Sequence, residues 1–211
     1  MEGNKKREHI FAICAYKESP YLEECILSLE KQTRKSSIIM VTSTPNKYIE
    51  ELSRKYEIPL FINHGEHGIT QDWNFAYQCA NARYVTIAHQ DDVYLPDYWQ
   101  KSYEYLRRAK RPLIVFGDYG ELRKDQPILN NRLLKMKRLM LMPLKIKVFW
   151  SSKFVRRRIL SFGCPICCPS VTFAKEHLQE PIFKAGFRSA EDWEAWEKLS
   201  KEKGSFVYVN K

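Results

Sequence analysis

The sequence predicts an α/β protein: a mostly parallel sheet with helices on both faces. Two patterns carry that expectation. Short apolar runs alternate with helical segments four times before residue 120, and the links between them are a few residues long. This is the pattern of βαβ units, whose sheet is covered on both faces. The composition agrees, since 44% hydrophobic and 28% charged residues suit a packed soluble chain and exclude wholesale disorder.

Taken in order, residues 9–16 are an apolar run and predict the first strand. Ser19-Pro20 opens a helix, with Ser at the cap and Pro at the first helical position, and Leu22, Ile26 and Leu29 line one face. Residues 37–42 predict the second strand. Asn46 caps a helix with Ile49, Leu52 and Tyr56 inward. Residues 60–63 are the third strand, followed by a loop through Gly65 and Gly68. A helix over 70–82 places Trp73, Ala76, Tyr77 and Ala80 inward. Strand four covers 84–88, a polar loop 89–97, a helix 98–110 and strand five 113–116. A helix over 190–203 and a strand over 206–209 close the chain. All 211 residues fit one domain, with 1–120 as one half and 121–211, holding a basic helical insert at about 126–175, as the other.

Several classes are excluded or disfavoured. The apolar runs at 10–16 and 139–144 are far short of the about 20 residues that a spanning helix needs. The basic start (Lys5, Lys6, Arg7) leads into a strand and not a signal peptide, so the chain is expected in the cytoplasm. Cys14, Cys25, Cys79, Cys164, Cys167 and Cys168 read as reduced thiols in apolar surroundings. Cys164 and Cys167 have C-x-x-C spacing, but no second pair follows to complete a zinc site.

Charge is unevenly spread. The net charge is +10, yet residues 126–175 hold eleven Lys and Arg and no Asp or Glu, leaving 24 basic against 25 acidic residues elsewhere. Helical spacing over 153–162 puts Lys153, Arg156 and Arg157 on one side and Val155, Ile159 and Phe162 on the other. A helix lying in an anionic membrane surface fits this pattern, as does a packed helical pair with solvated charges; a nucleic-acid face fits less well.

In an open α/β sheet, ligands bind at the carboxyl ends of the strands. Strand one ends in Ala15-Tyr16-Lys17-Glu18 and strand four in His89-Gln90-Asp91-Asp92. Adjacent carboxylates at a strand end suit Mg²⁺ or Mn²⁺, which bridge to diphosphates. They equally suit a turn cap before Pro96.

These segments, in this order, resemble the inverting nucleotide-sugar glycosyltransferases of family 2, which have the GT-A fold. The family's first strand ends in a P-T-Y-N-E-like segment, here Cys14-Ala15-Tyr16-Lys17-Glu18, followed by Leu22, Ser28-Leu29 and Gln32-Thr33. Its next segment, G…N…A…Y(I/V), is here Gly68, Asn74, Ala80 and Tyr84-Val85. Its D-x-D-D followed by Pro is here His89-Gln90-Asp91-Asp92 and Pro96, and its E-D helix start is Glu191-Asp192.

The resemblance implies metal-dependent transfer of a hexosyl or related sugar from a nucleotide-diphosphate sugar, with inversion, to a hydroxyl of a glycan or lipid-linked acceptor, in surface polysaccharide or glycolipid synthesis. It makes Asp192 the base, assisted by Glu191, although Ser189-x-x-Asp192 is also a capping arrangement. It makes Asp91 the ligand of Mn²⁺ or Mg²⁺, supported by Asp92. Tyr16 stacks on the base or is an ordinary strand-end aromatic, Glu18 meets ribose or base or is a first-turn helix charge, Trp73 and Asn74 line the sugar pocket or Trp73 is core beside Tyr77, and Ala15, Thr44, Gln90 and Asp91 complete the donor set. The stretch 163–170 forms an acceptor-side wall or a plain connecting loop. Three departures stand out: residues 41–46 lack the family's carboxylate after strand two, His89 replaces the first aspartate, and the chain stops at Lys211, which reads as a trimmed form. The enzyme would sit in the cytoplasm, peripheral on the inner membrane face. The competing reading is a non-catalytic nucleotide- or nucleic-acid-binding α/β domain.

Overall fold

The computed structural model describes residues 7–123, 126–184, 186 and 190–210. The first half alternates strand and helix as expected: β1 (Arg7–Cys14), α1 (Leu22–Glu30), β2 (Ser37–Thr42), α2 (Lys47–Lys55), β3 (Leu60–Ile62), α3 (Ile69–Cys79), β4 (Ala82–His89), α4 (Tyr98–Leu106) and β5 (Pro112–Gly117). The Asn46 side chain accepts the Ile49 N–H at 3.0 Å and starts α2 as the sequence indicates.

Successive residues of β1 point to opposite faces, and two apolar clusters result. Phe11 and Ile13 join Leu22, Ile26, Ile49 and Trp99 from α1, α2 and α4. Ile10 and Ala12 join Ala76 of α3 and Ala80 just past its end on the other face, where the small side chains let the helix lie close to the sheet.

The second half holds β6 (Glu121–Arg123), β7 (Gln126–Ile128), α5 (Arg132–Leu141), α6 (Lys153–Leu160), β8 (Val171–Ala174), α7 (Glu191–Ser200) and β9 (Ser205–Val209). Two 3₁₀ turns, Met142–Lys145 and Lys147–Phe149, join α5 to α6. The main sheet runs β3-β2-β1-β4-β8-β5-β9, and β6-β7 is a separate hairpin. All pairings in the main sheet are parallel except those of β8, which runs antiparallel between β4 and β5. So β4 and β5, which the sequence presents as consecutive, are not neighbours. Gly204 turns the chain into β9 at φ +148°, where a Cβ would lie 2.8 Å from the Arg111 carbonyl oxygen.

One expectation about the insert is corrected. Arg156 is not on a solvated basic face: it is 1% exposed. Its Nε donates to the Ser200 carbonyl at 2.7 Å and its Nη1 to that of Gly204 at 2.5 Å, while Nη2 donates to that of Glu202. These carbonyls close the carboxyl end of α7, where the backbone leaves acceptors unpaired and a cation is favoured. Conversely Phe162, expected on the apolar side, is exposed, and Leu160 packs inward beside Ile159.

Candidate active site at the carboxyl edge of the sheet

The parallel strands β1, β2 and β4 end together, and side chains lace their ends. Gln90, just past β4, accepts the Tyr16 N–H at 2.9 Å and donates to the Tyr16 carbonyl at 3.1 Å. The Ala15 N–H bonds the Val41 carbonyl at 2.9 Å. The Lys17 N–H bonds Thr44 Oγ1 at 2.6 Å, with Lys17 in the left-handed region at φ 54°. The Tyr16 side chain stays half-exposed at this edge and Glu18 is exposed beside it. Ala15, Tyr16, Thr44 and Gln90 are thereby brought to one place, and it is the main chain of β1 that they fix.

No carboxylate directly follows β2 in the sequence, but one from α3 reaches the end of that strand. Asp72, in the first turn of α3, accepts from Ser43 Oγ at 2.6 Å and from Asn63 Nδ2 at 2.9 Å, and is buried. It ties the ends of β2 and β3 to α3. Its signal in the sequence is an acidic residue opening a helix, which reads equally well as a favourable charge at a helix start.

At the end of β4, ligand-capable atoms of His89, Asp91 and Asp92 lie within 4.8 Å of one another. Among the described residues this is the one group of three or more such side chains, and all six cysteines are free. Burial, with the neighbouring Asp91 charge, pushes the Asp92 carboxyl up to about 6. His89 Nδ1 sits 3.8 Å from Asp92 Oδ2, and burial holds the ring down at about 4, so it is a neutral imidazole at neutral pH. Two crowded carboxylates and a neutral nitrogen donor fit a divalent cation such as Mn²⁺. Trp73 stacks on His89 with ring centroids 4.9 Å apart. Asn74 is engaged at both ends of its amide by the Phe183 main chain, at 2.8 and 3.1 Å. It therefore steadies Phe183, whose ring packs against Trp73.

The second carboxylate centre opens α7. Asp192 Oδ1 accepts the Trp193 N–H at 2.8 Å, and Cys164 Sγ approaches Oδ2 at 3.9 Å. Burial raises the Asp192 carboxyl above the usual range, and Glu191 adds a smaller push in the same direction. The residue before them, Ala190, is left-handed at φ 67°. The capping arrangement expected at Ser189 lies outside the described residues.

Between the two centres runs the 163–170 stretch. Cys164 lies against Asp192, while Cys167 lines a pocket together with Asp92, and burial, with the Asp92 charge, pushes the Cys167 thiol up to about 12. At that value it is an inert neutral thiol. A residue the sequence did not single out also belongs here. Lys137, half-buried on α5, donates to Tyr119 Oη at 2.8 Å, and its charge acts on Asp192. Its helix is basic on every side, so periodicity alone does not mark it. On the β5 side of Asp92 lies a pocket of about 430 Å³, bounded by Tyr98, Asp118, Arg138 and Cys167.

The profile of Glycosyl transferase family 2 matches residues 10–163. An uncharacterized glycosyltransferase of Methanocaldococcus jannaschii is 29% identical over 126 residues, covering 56% of this chain and 43% of that protein. Among solved structures, a mannosyltransferase from Pyrobaculum calidifontis, in complex with GDP-Man and Mn²⁺, superposes with TM-score 0.67 at 14% identity, covering 99% of this chain and 57% of that one. Glucosyl-3-phosphoglycerate synthase from Mycobacterium tuberculosis, in complex with Mn²⁺ and UDP-glucose, gives 0.63 at 13% identity, covering 97% and 70%. The fold is GT-A, and the chain spans under half the length of the curated relatives it matches.

Proposed function

The chain belongs to glycosyl transferase family 2, and on that premise we propose that it moves a hexosyl or related sugar from a nucleotide-diphosphate donor to an acceptor hydroxyl with inversion. The observation that carries the reading is the pairing of two unlike acidic centres at one sheet edge. Asp91 and Asp92 crowd together beside His89, while Asp192 stands apart across the cysteine stretch, with its carboxyl raised by burial.

A hydroxyl is a weak nucleophile near neutral pH and needs a positioned base. A carboxylate raised above its ordinary range holds a proton better, and Asp192 takes that role, with Glu191 beside it. Inversion is what the resemblance to the inverting enzymes of this family implies, and it corresponds to one displacement at the anomeric carbon with Asp192 as base. On the donor side, the laced ends of β1, β2 and β4 present Tyr16 and Glu18 to the nucleoside. Trp73 and Gln90 shape the floor beneath the sugar and diphosphate. Asp91 and Asp92 would hold Mn²⁺ or Mg²⁺, which when bound stabilises the negative charge of a departing diphosphate. The solved relatives named above were captured with GDP-Man or UDP-glucose and with Mn²⁺, which supports this donor class. The acceptor fits a glycan or lipid-linked hydroxyl of surface polysaccharide or glycolipid synthesis.

Thermal unfolding of the chain with UDP or GDP, with and without Mn²⁺, tests the donor side. A ligand bound only by the native state raises the midpoint, and the rise grows with the logarithm of ligand concentration above Kd. The expected result is a Mn²⁺-dependent rise that Asp91→Asn abolishes while leaving the ligand-free midpoint near wild type. An equal rise in the variant removes Asp91 from the metal. Binding without release of nucleoside diphosphate from any nucleotide-sugar favours the non-catalytic alternative.

A further inference from the structure

We propose that the outward surface formed by α5, the two 3₁₀ turns and α6 docks on an anionic lipid bilayer. Four of the eleven basic residues in 126–175 are already occupied inside the protein. Lys137 is bound to Tyr119, Arg138 lies 3.4 Å from Asp118, Arg156 closes α7, and Lys175 donates to the Tyr77 and Ala80 carbonyls. The other seven are exposed.

The apolar side chains divide in the same way. Leu134, Leu141, Leu144, Trp150, Ile159 and Leu160 face the core. A second apolar set does not: Val148, Phe154 and Phe162 are 70–78% exposed, and Leu139, Met142 and Ile146 are more than half exposed. On α5 the outward positions Arg132, Lys135, Met136 and Leu139 recur at i, i+3, i+4 and i+7. On α6 they are Lys153, Phe154, Arg157 and Arg158.

On each of these helices cations and large apolar side chains therefore share an outer side that the fold itself does not need. A bilayer with acidic headgroups satisfies both, since the hydrocarbon boundary takes the apolar side chains and the headgroups the cations. A second copy would bring this surface against its own positive charge. A nucleic-acid backbone would answer the cations and leave the phenylalanines in water. No helix among the described residues is long and apolar enough to cross a membrane, so the contact is with the surface.

Co-sedimentation with vesicles of phosphatidylcholine, alone or mixed with phosphatidylglycerol, tests the surface without nucleotide, metal or acceptor. Its outcome is therefore separate from that of the transfer reading. Wild type is expected to pellet with the mixed vesicles at low salt and to be released as salt rises. Arg157→Gln with Arg158→Gln should weaken that binding up to about thirtyfold, from the usual contribution of a basic residue at an acidic surface. Phe154→Ser with Phe162→Ser should weaken it too, and should leave the remaining attachment more sensitive to salt. All four side chains are exposed, so both variants should melt with the wild type. Equal pelleting with both vesicle types, pelleting with neither, or wild-type binding by both variants overturns the proposal. Retention of a labelled oligonucleotide in place of vesicles overturns it in favour of nucleic acid.

Discussion

Residues 7–117 bury a carboxylate and residues 118–210 bury a guanidinium, and the two charges are satisfied differently. Asp72 is held by Ser43 and Asn63, which sit just past the ends of β2 and β3. Arg156 is held by three main-chain carbonyls 44 to 48 positions further along the chain. In the first half a polar group finds its partners within adjacent βα units. In the second half the partners come from an element that exists only once the whole fold has assembled. The candidate site inherits this contrast. Its donor edge is a by-product of parallel strands ending together, whereas its base depends on how α7 is anchored.

The sharpest break in the comparison is chemical. Asp192→Asn should leave Mn²⁺-dependent nucleotide binding intact and lower the transfer rate by about two to four orders of magnitude, the range for a lost general base. Calorimetry and a nucleoside-diphosphate release assay separate the two halves. Turnover near wild type would mean that Asp192 serves only its helix.

Next comes the anchor. Arg156→Gln strips the end of α7 of charge-assisted hydrogen bonds at a site with almost no water, and should cost about 3 kcal/mol. For a chain of this size that lowers Tm by about 6–12 °C. Burial brings the Arg156 guanidinium down only to about 10, so the group stays charged at neutral pH and the loss should be flat across it. Arg157→Gln, one residue along and exposed, should change stability by less than about 0.5 kcal/mol. Equal effects of the two substitutions would erase the distinction.

The smallest effect refines the base. Burial raises the Asp192 carboxyl, while the Lys137 charge pulls it down. Transfer should therefore fail as pH drops through a midpoint above the ordinary carboxylate range. Lys137→Gln removes the downward pull, so the midpoint should move up, by less than about one pH unit. A pH profile of kcat/KM reads the shift; a downward move would contradict the placement of Lys137 beside the base.

How much of this was legible follows from the same contrast. Strand and helix alternate in the first half because each unit is amphipathic by itself, so β1 to β5, the Asn46 cap and the clustering of Tyr16, Gln90, Asp91 and Asp92 could be read from periodicity and from where strands end. The strand β8 could not: Val171–Ala174 is four residues after a Pro- and Cys-rich stretch, and nothing local says that it separates β4 from β5. Arg156 was hidden for the opposite reason. It sits in a run of three arginines, and a basic run on a short helix reads as solvated until the partner carbonyls of α7 are known. Asp72 and Lys137 escaped because their roles lie in which distant side chains they meet, and helical spacing is silent about that.

The place of β8 in the sheet also sets an order of events during synthesis. β4 and β5 are both finished by Gly117, yet each keeps an open edge until Val171–Ala174 emerges to bond them on either side. At ~5–20 residues per second that interval lasts several seconds. Throughout it two apolar strands present unpaired main-chain donors and acceptors to whatever is near. The long basic stretch is made in just that window. A nascent stretch with many positive charges and no negative ones repels its own copies, so the strand that joins β4 to β5 arrives behind a segment that keeps neighbouring unfinished chains apart.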